Sequence, residues 1–139
     1  MQISARNQIS GVVEQIINGS VNAEVYIKLK SGYTIVSVIT KTAVENLNLN
    51  IGDDVVAIFK SNTVLISTDV ALNISARNKL QGFVDSINKG EINSELIIDI
   101  GNGDKLASII TSNSIDRLNI KKGAQVSAII KASDVMIGK

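Results

Sequence analysis

Apolar and polar residues alternate along Val21-Asn22-Ala23-Glu24-Val25-Tyr26-Ile27-Lys28-Leu29, where every odd position is apolar and most even ones are polar. A period of two marks a strand with one buried face. The same rhythm returns at Ile92, Ser94, Leu96, Ile98 and Ile100. A strand from about Gly11 to Ile17 precedes the first run, and Asn18-Gly19-Ser20 between the two predicts a hairpin; Lys89-Gly90 occupies that place later in the chain. After the turns Lys30-Ser31-Gly32 and Gly101-Asn102-Gly103, further strands are predicted at Thr34 to Ile39 and Lys105 to Ile110. The rhythm then changes. Thr40 and Thr111 stand where a helix N-cap belongs, and Ala43, Val44 and Leu47, or Ile115 and Leu118, follow at helical spacing, which predicts one short helix in each series. Gly52 and Gly123 mark turns into strands at Asp54 to Lys60 and Gln125 to Lys131. Short strands at Thr63 to Ser67 and Asp134 to Ile137 end the two series.

The two series are copies of one unit. A shift of 71 positions superimposes residues 1–68 on 72–139 without insertion or deletion, and 25 of the 68 pairs are identical. The domains expected are therefore 1–68 and 72–139, joined by a short connector at 69–71 that has neither Gly nor Pro, so the halves should pack together. Five strands with a helix after the third is the order of an OB-type barrel. The fold class expected is mostly β: two tandem OB-like five-stranded β-barrels, each with one short helix. Periodicity alone fits another small barrel equally well.

Composition narrows what such barrels could do. Each half has about 70 residues, a size at which a lone core is marginal, so oligomerisation is an expected supplement. There is no Cys and no His, which removes thiolate nucleophiles, imidazole bases, disulfides and the usual ligands of zinc, copper or iron. No nucleophile stands beside a base, and adjacent Asp53 and Asp54 point apart and cannot share a substrate atom. Glu24 and Glu95 recur on the polar side of a strand and suit ion pairs, with Arg6 and Arg77 as candidates, better than acid or base work. An enzyme is not expected. With 14 basic and 13 acidic residues no strong field draws in nucleic acid, and the four aromatics, none at matching positions in the copies, do not form a stacking platform. The N-terminus lacks the apolar core of a signal peptide and no run is long enough to span a bilayer, so neither a membrane nor a nucleic-acid partner is expected, and the expected compartment is the cytoplasm.

What remains is Ser-Ala-Arg-Asn at 4–7 and 75–78, and a lysine at 60 and 131 in an Ile-Phe-Lys-Ser-Asn or Ile-Ile-Lys-Ala-Ser context. Two cations, hydroxyls and turn amides are the parts a tetrahedral oxyanion requires, and Arg6 with Lys60 would offset a dianion. These residues persist in both copies while surface positions around them have changed.

At these positions the chain resembles the molbindin, or Mop, domain family. The matching features are Ser-Ala-Arg-Asn, Gly11, Gly19-x-Val21-Asn22-Ala23-Glu24, Thr40-Lys41-x-x-Val44-x-x-Leu47, Leu49-x-x-Gly52-Asp53 and Ala57-x-x-Lys60-Ser61. They recur as Gly90-x-Ile92-Asn93-Ser94-Glu95, Thr111, Leu118, Gly123 and Ala128-x-x-Lys131-Ala132-Ser133. The expected likeness is to the free-standing tandem form, on the reading that no helix-turn-helix or nucleotide-binding domain flanks the pair. It implies reversible molybdate or tungstate binding for storage or homeostasis, no covalent cofactor, no direct protein ligand to the metal, and assembly as a homotrimer. It further implies one cluster of Ser4, Arg6, Lys60 and Ser61 and a counterpart of Ser75, Arg77, Lys131 and Ser133. Backbone donors would come from Val21, Asn22 and Ala23 and from Ile92, Asn93 and Ser94 of a neighbouring domain. Ala132 in place of Ser61 makes the clusters unequal. The alternative function is an oligomeric interaction or sensing module whose anion sites are vestigial.

Overall fold

The computed structural model describes residues 1–139. Ten strands and two short helices follow one another in two matching series: β1 (Asn7–Asn18), β2 (Asn22–Leu29), β3 (Thr34–Thr40), α1 (Lys41–Asn46), β4 (Asp54–Phe59) and β5 (Leu65–Ser67), then β6 (Asn78–Lys89), β7 (Asn93–Gly101), β8 (Asp104–Thr111), α2 (Ser112–Leu118), β9 (Gln125–Ile130) and β10 (Met136–Gly138). A 3-10 turn precedes each last strand, at Ser61–Thr63 and Ala132–Asp134. The Thr40 and Thr111 hydroxyls accept hydrogen bonds from Ala43 and Ser114 N–H, so both helices begin at the expected caps. No helix is long and apolar enough to cross a membrane.

β1 begins at Asn7, before the expected Gly11, and β6 begins at the matching Asn78. Each bends at a register shift, between Val13 and Gln15 and between Val84 and Ser86, which leaves Glu14 or Asp85 unpaired and lets one long strand serve two partners. Gly11 and Gly82 lie before these bends. A Cβ at Gly82 would sit 2.4 Å from the Asp99 carbonyl oxygen, so the backbones can approach only because there is none.

The sheets are two and five-stranded, in the orders β10-β4-β1-β2-β3 and β5-β9-β6-β7-β8. The repeats thus exchange their last strands. β5 pairs antiparallel with β9, Leu65 opposite Ile129, and β10 pairs with β4, Met136 opposite Ile58. Residues 1–68 and 72–139 are the units of the sequence, but each barrel is closed by a strand from the other repeat. One apolar cluster of 25 buried residues, from Ile9 to Val135, draws on both repeats.

Four buried polar side chains stitch the exchange. Asn7 donates to the Ala107 carbonyl at 2.8 Å and accepts from the Ala107 N–H at 2.7 Å. Asn78 does the same to Val36, at 2.9 and 2.7 Å. Ser108 donates to the Val64 carbonyl and Ser37 to that of Val135, just before the exchanged strands. Buried backbone groups must be paired, and here a side chain of one repeat pairs the edge strand of the other.

Candidate functional site: two cavities at the repeat seam

Each of the two expected clusters is brought together. Ser4 and Arg6, just before β1, meet Lys60, Ser61 and Asn62, just after β4, around a cavity of about 290 Å³. β1 and β4 are adjacent and antiparallel, with Asn7 opposite Phe59, so residues preceding one and following the other share an end of the barrel. The opposite wall is Ile109 of β8 and Met136 of β10, both from the second repeat. The counterpart, about 420 Å³, holds Ser75, Arg77, Lys131 and Ser133 against Val38 and Leu65 of the first repeat. Both walls exist because the strands are exchanged, and neither was legible in the sequence.

Within the clusters the cations differ. Arg6 donates through Nη1 to Glu95 Oε2, and Arg77 through Nη1 to Glu24 Oε2 at 3.0 Å, so each arginine pairs with the glutamate of the opposite repeat. Lys60 and Lys131 are exposed and take part in none of the six ion pairs. Hence Arg6 and Lys60 do not offset a dianion by themselves: Glu95 cancels one charge, and the cavity keeps a net single positive charge carried by the lysine. Ser61 is 6% exposed at the floor of the first cavity, where Ala132 stands in the second with Ser133 exposed beside it.

The hairpin segments lie elsewhere within the chain. Val21 and Ile92 are 71% and 78% exposed at the tips of the β1–β2 and β6–β7 hairpins, outside both cavities. Asn93 and Ser94 line a separate depression that shares Ile109 with the first cavity. Ala23 is buried in β2 opposite Ile39, and Asn22 stands beside it opposite Thr40. Asp53 and Asp54 form no acidic site: Asp53 accepts from the Asn50 N–H and pairs with Lys139 at 2.9 Å, which ties down the residue after β10.

Hydrogen bonds from Tyr26, then Arg77, hold the Glu24 carboxyl below its usual range, and the bonds that Arg77 donates to Tyr26 and Glu24 raise its own pKa. A carboxyl that titrates lower when folded contributes stability above its unfolded value and loses it as pH falls through the folded one. Urea unfolding of the natural chain and of Glu24→Gln is therefore expected to differ at about pH 7, with the difference shrinking as pH falls below the usual carboxylate range. Equal curves across that range would show that the pair adds nothing to the seam.

The two barrels and the paired cavities define a tandem OB-like binding module. The chain belongs to the TOBE domain family, whose model matches it twice, at residues 3–66 and 74–137. Its relatives include several molybdenum proteins. Over 99% of its length it is 37% identical to a molybdenum transport protein ModE of Azotobacter vinelandii, covering 51% of that protein, and 34% identical to the molybdenum-pterin-binding protein MopA of Rhodobacter capsulatus, covering 52%. The chain spans about half the length of these curated relatives. Molybdenum-pterin-binding protein 1 of Clostridium pasteurianum is one repeat long: 66 residues match at 46% identity, which is 48% of this chain and 97% of that one. Among solved structures, the cytoplasmic molybdate-binding protein ModG with molybdate bound is similar at a TM-score of 0.95 and 40% identity, with 99% of each chain covered.

Proposed function

We propose that this chain binds molybdate or tungstate as an intact tetrahedral dianion in the cytoplasm, reversibly and without catalysis, for storage or homeostasis. The observation that carries this is the convergence of Ser4, Arg6, Lys60 and Ser61 on one cavity, repeated at Ser75, Arg77, Lys131 and Ser133. Each set offers side chains that donate hydrogen bonds around an unpaired lysine, and a fully deprotonated oxyanion accepts only. The molybdate found in ModG, with the same fold along its whole length, supports the choice of ligand.

A single positive charge per cavity leaves a dianion half neutralised, so further donors have to come from outside the chain. In a homotrimer, the exposed hairpins Val21-Asn22-Ala23 and Ile92-Asn93-Ser94 of neighbouring copies would supply backbone N–H groups to the bound oxyanion. Size then separates the larger molybdate and tungstate from sulfate, and the shortage of acceptors disfavours a protonated phosphate.

Titration calorimetry with molybdate, tungstate and sulfate tests the reading, together with elemental analysis of freshly isolated protein. Charge-assisted hydrogen bonds contribute on the order of 1.5 to 3 kcal/mol, so Lys60→Ala should weaken molybdate binding about tenfold or more. Equal weak heats for all three anions would sink the proposal. They would favour the second reading, an interaction or sensing module, which the match to about half of the longer ModE proteins keeps in view.

A further inference from the structure

The two cavities are built on matching residues, yet the arginines are held differently. Arg77 donates through Nη2 to Tyr26 Oη at 2.9 Å and through Nη1 to Glu24 Oε2 at 3.0 Å, while the Tyr26 hydroxyl donates to the same Glu24 oxygen at 3.0 Å. The three groups close a ring, and the guanidinium carbon lies 6.0 Å from the centre of the tyrosine ring. A phenol has one proton to donate, and it is spent on Glu24; its oxygen accepts from Arg77. Both terminal nitrogens of Arg77 are therefore engaged within the protein.

In the other copy, the position 71 residues after Tyr26 is Ile97, half-buried on β7 with no hydroxyl to offer. Arg6 has a single side-chain partner, Glu95, through Nη1, so its Nη2 is uncommitted beside Ser4, Lys60 and Ser61. The same cavity is the smaller and carries the buried Ser61, where the second has Ala132.

We infer that Tyr26 is a positioning residue that sets the two oxyanion sites apart: it holds the Arg77 fork on Glu24 and makes the second cavity the weak site, while the Arg6 cavity is the tight one. The inference rests on the oxyanion reading above. It goes beyond the Ser61 and Ala132 difference, because it places a control on affinity in a residue that lines neither cavity.

The test is calorimetric titration of the full chain with sodium molybdate. The natural chain should show tight and weak classes in equal number. Tyr26→Phe keeps the ring and removes the hydroxyl. Freeing one charge-assisted donor should tighten the weak class about tenfold and leave the tight class unchanged. Ile97→Tyr should weaken the tight class by a similar factor. In an Arg77→Lys background the phenylalanine should have no further effect, which a merely structural role for Tyr26 would not produce. If Tyr26→Phe leaves the weak class as it was, or loosens it, the inference is overturned while the oxyanion reading stands. If the natural chain binds no molybdate at all, both fall.

Discussion

Residues 1–71 produced alone are expected to yield no folded monomer. Without the second repeat, β4 loses β10, its partner on one edge, and β5 has no β9 to join. Val64, 1% exposed in the whole chain, loses the strand that covers it, and the Ala107 backbone is no longer there for Asn7. A domain of this size is held by only about 5 to 15 kcal/mol, and the missing half of a shared core removes most of it. Two copies of the half can restore one another by the same exchange. Sedimentation should therefore show a dimer, and its thermal midpoint should rise with protein concentration, as for any folded state that forms by association. A monomer as stable as the whole chain would refute the mutual closure of the barrels.

Asn78→Ala is expected to be the most damaging single substitution at the seam. Asn78 is 1% exposed and satisfies both the N–H and the carbonyl of Val36, itself 7% exposed. Truncation leaves one donor and one acceptor buried without partners, at roughly 1 to 3 kcal/mol each, for a total of about 2 to 6 kcal/mol in urea unfolding with an unchanged slope. Asn7→Ala should cost a similar amount through Ala107. A loss under about 0.5 kcal/mol, the range of ordinary surface changes, would mean that water replaces the side chain.

The elements with local causes were legible in the sequence. Alternation places β2, a threonine followed by helical spacing places each cap, and Asn18-Gly19 places the hairpin. The start of β1, expected near Gly11, was placed too late, because an asparagine reads as the end of a strand. Yet Asn7 is in phase with buried Ile9 and Val13, and Asn78 with Leu80 and Val84. A polar residue on an apolar face, kept in both copies, was the available signal for the clamps. The exchange of β5 and β10 could not be read at all, since an unswapped pair of barrels has the same alternation and the same gap-free repeat. For the same reason the Ile109 and Met136 wall was invisible, although recurrence singled out Ser4, Arg6 and Lys60, and the family resemblance added Ser61. The pairing of Arg6 and Arg77 with the recurring glutamates was readable as chemistry, but that each pair crosses from one repeat to the other followed only from the fold.

Covalent continuity between the repeats also changes what mutation can do. Where two identical single-repeat chains close each other, one altered codon alters both halves, and a change that suits one cavity is imposed on the other. Here the halves are written separately. Tyr26 corresponds to Ile97 in the other repeat, and Ser61 to Ala132, without either residue type having to satisfy both places. Under the oxyanion reading, two unequal cavities on one polypeptide would together respond over a wider span of ligand concentration than a symmetric dimer of the same parts.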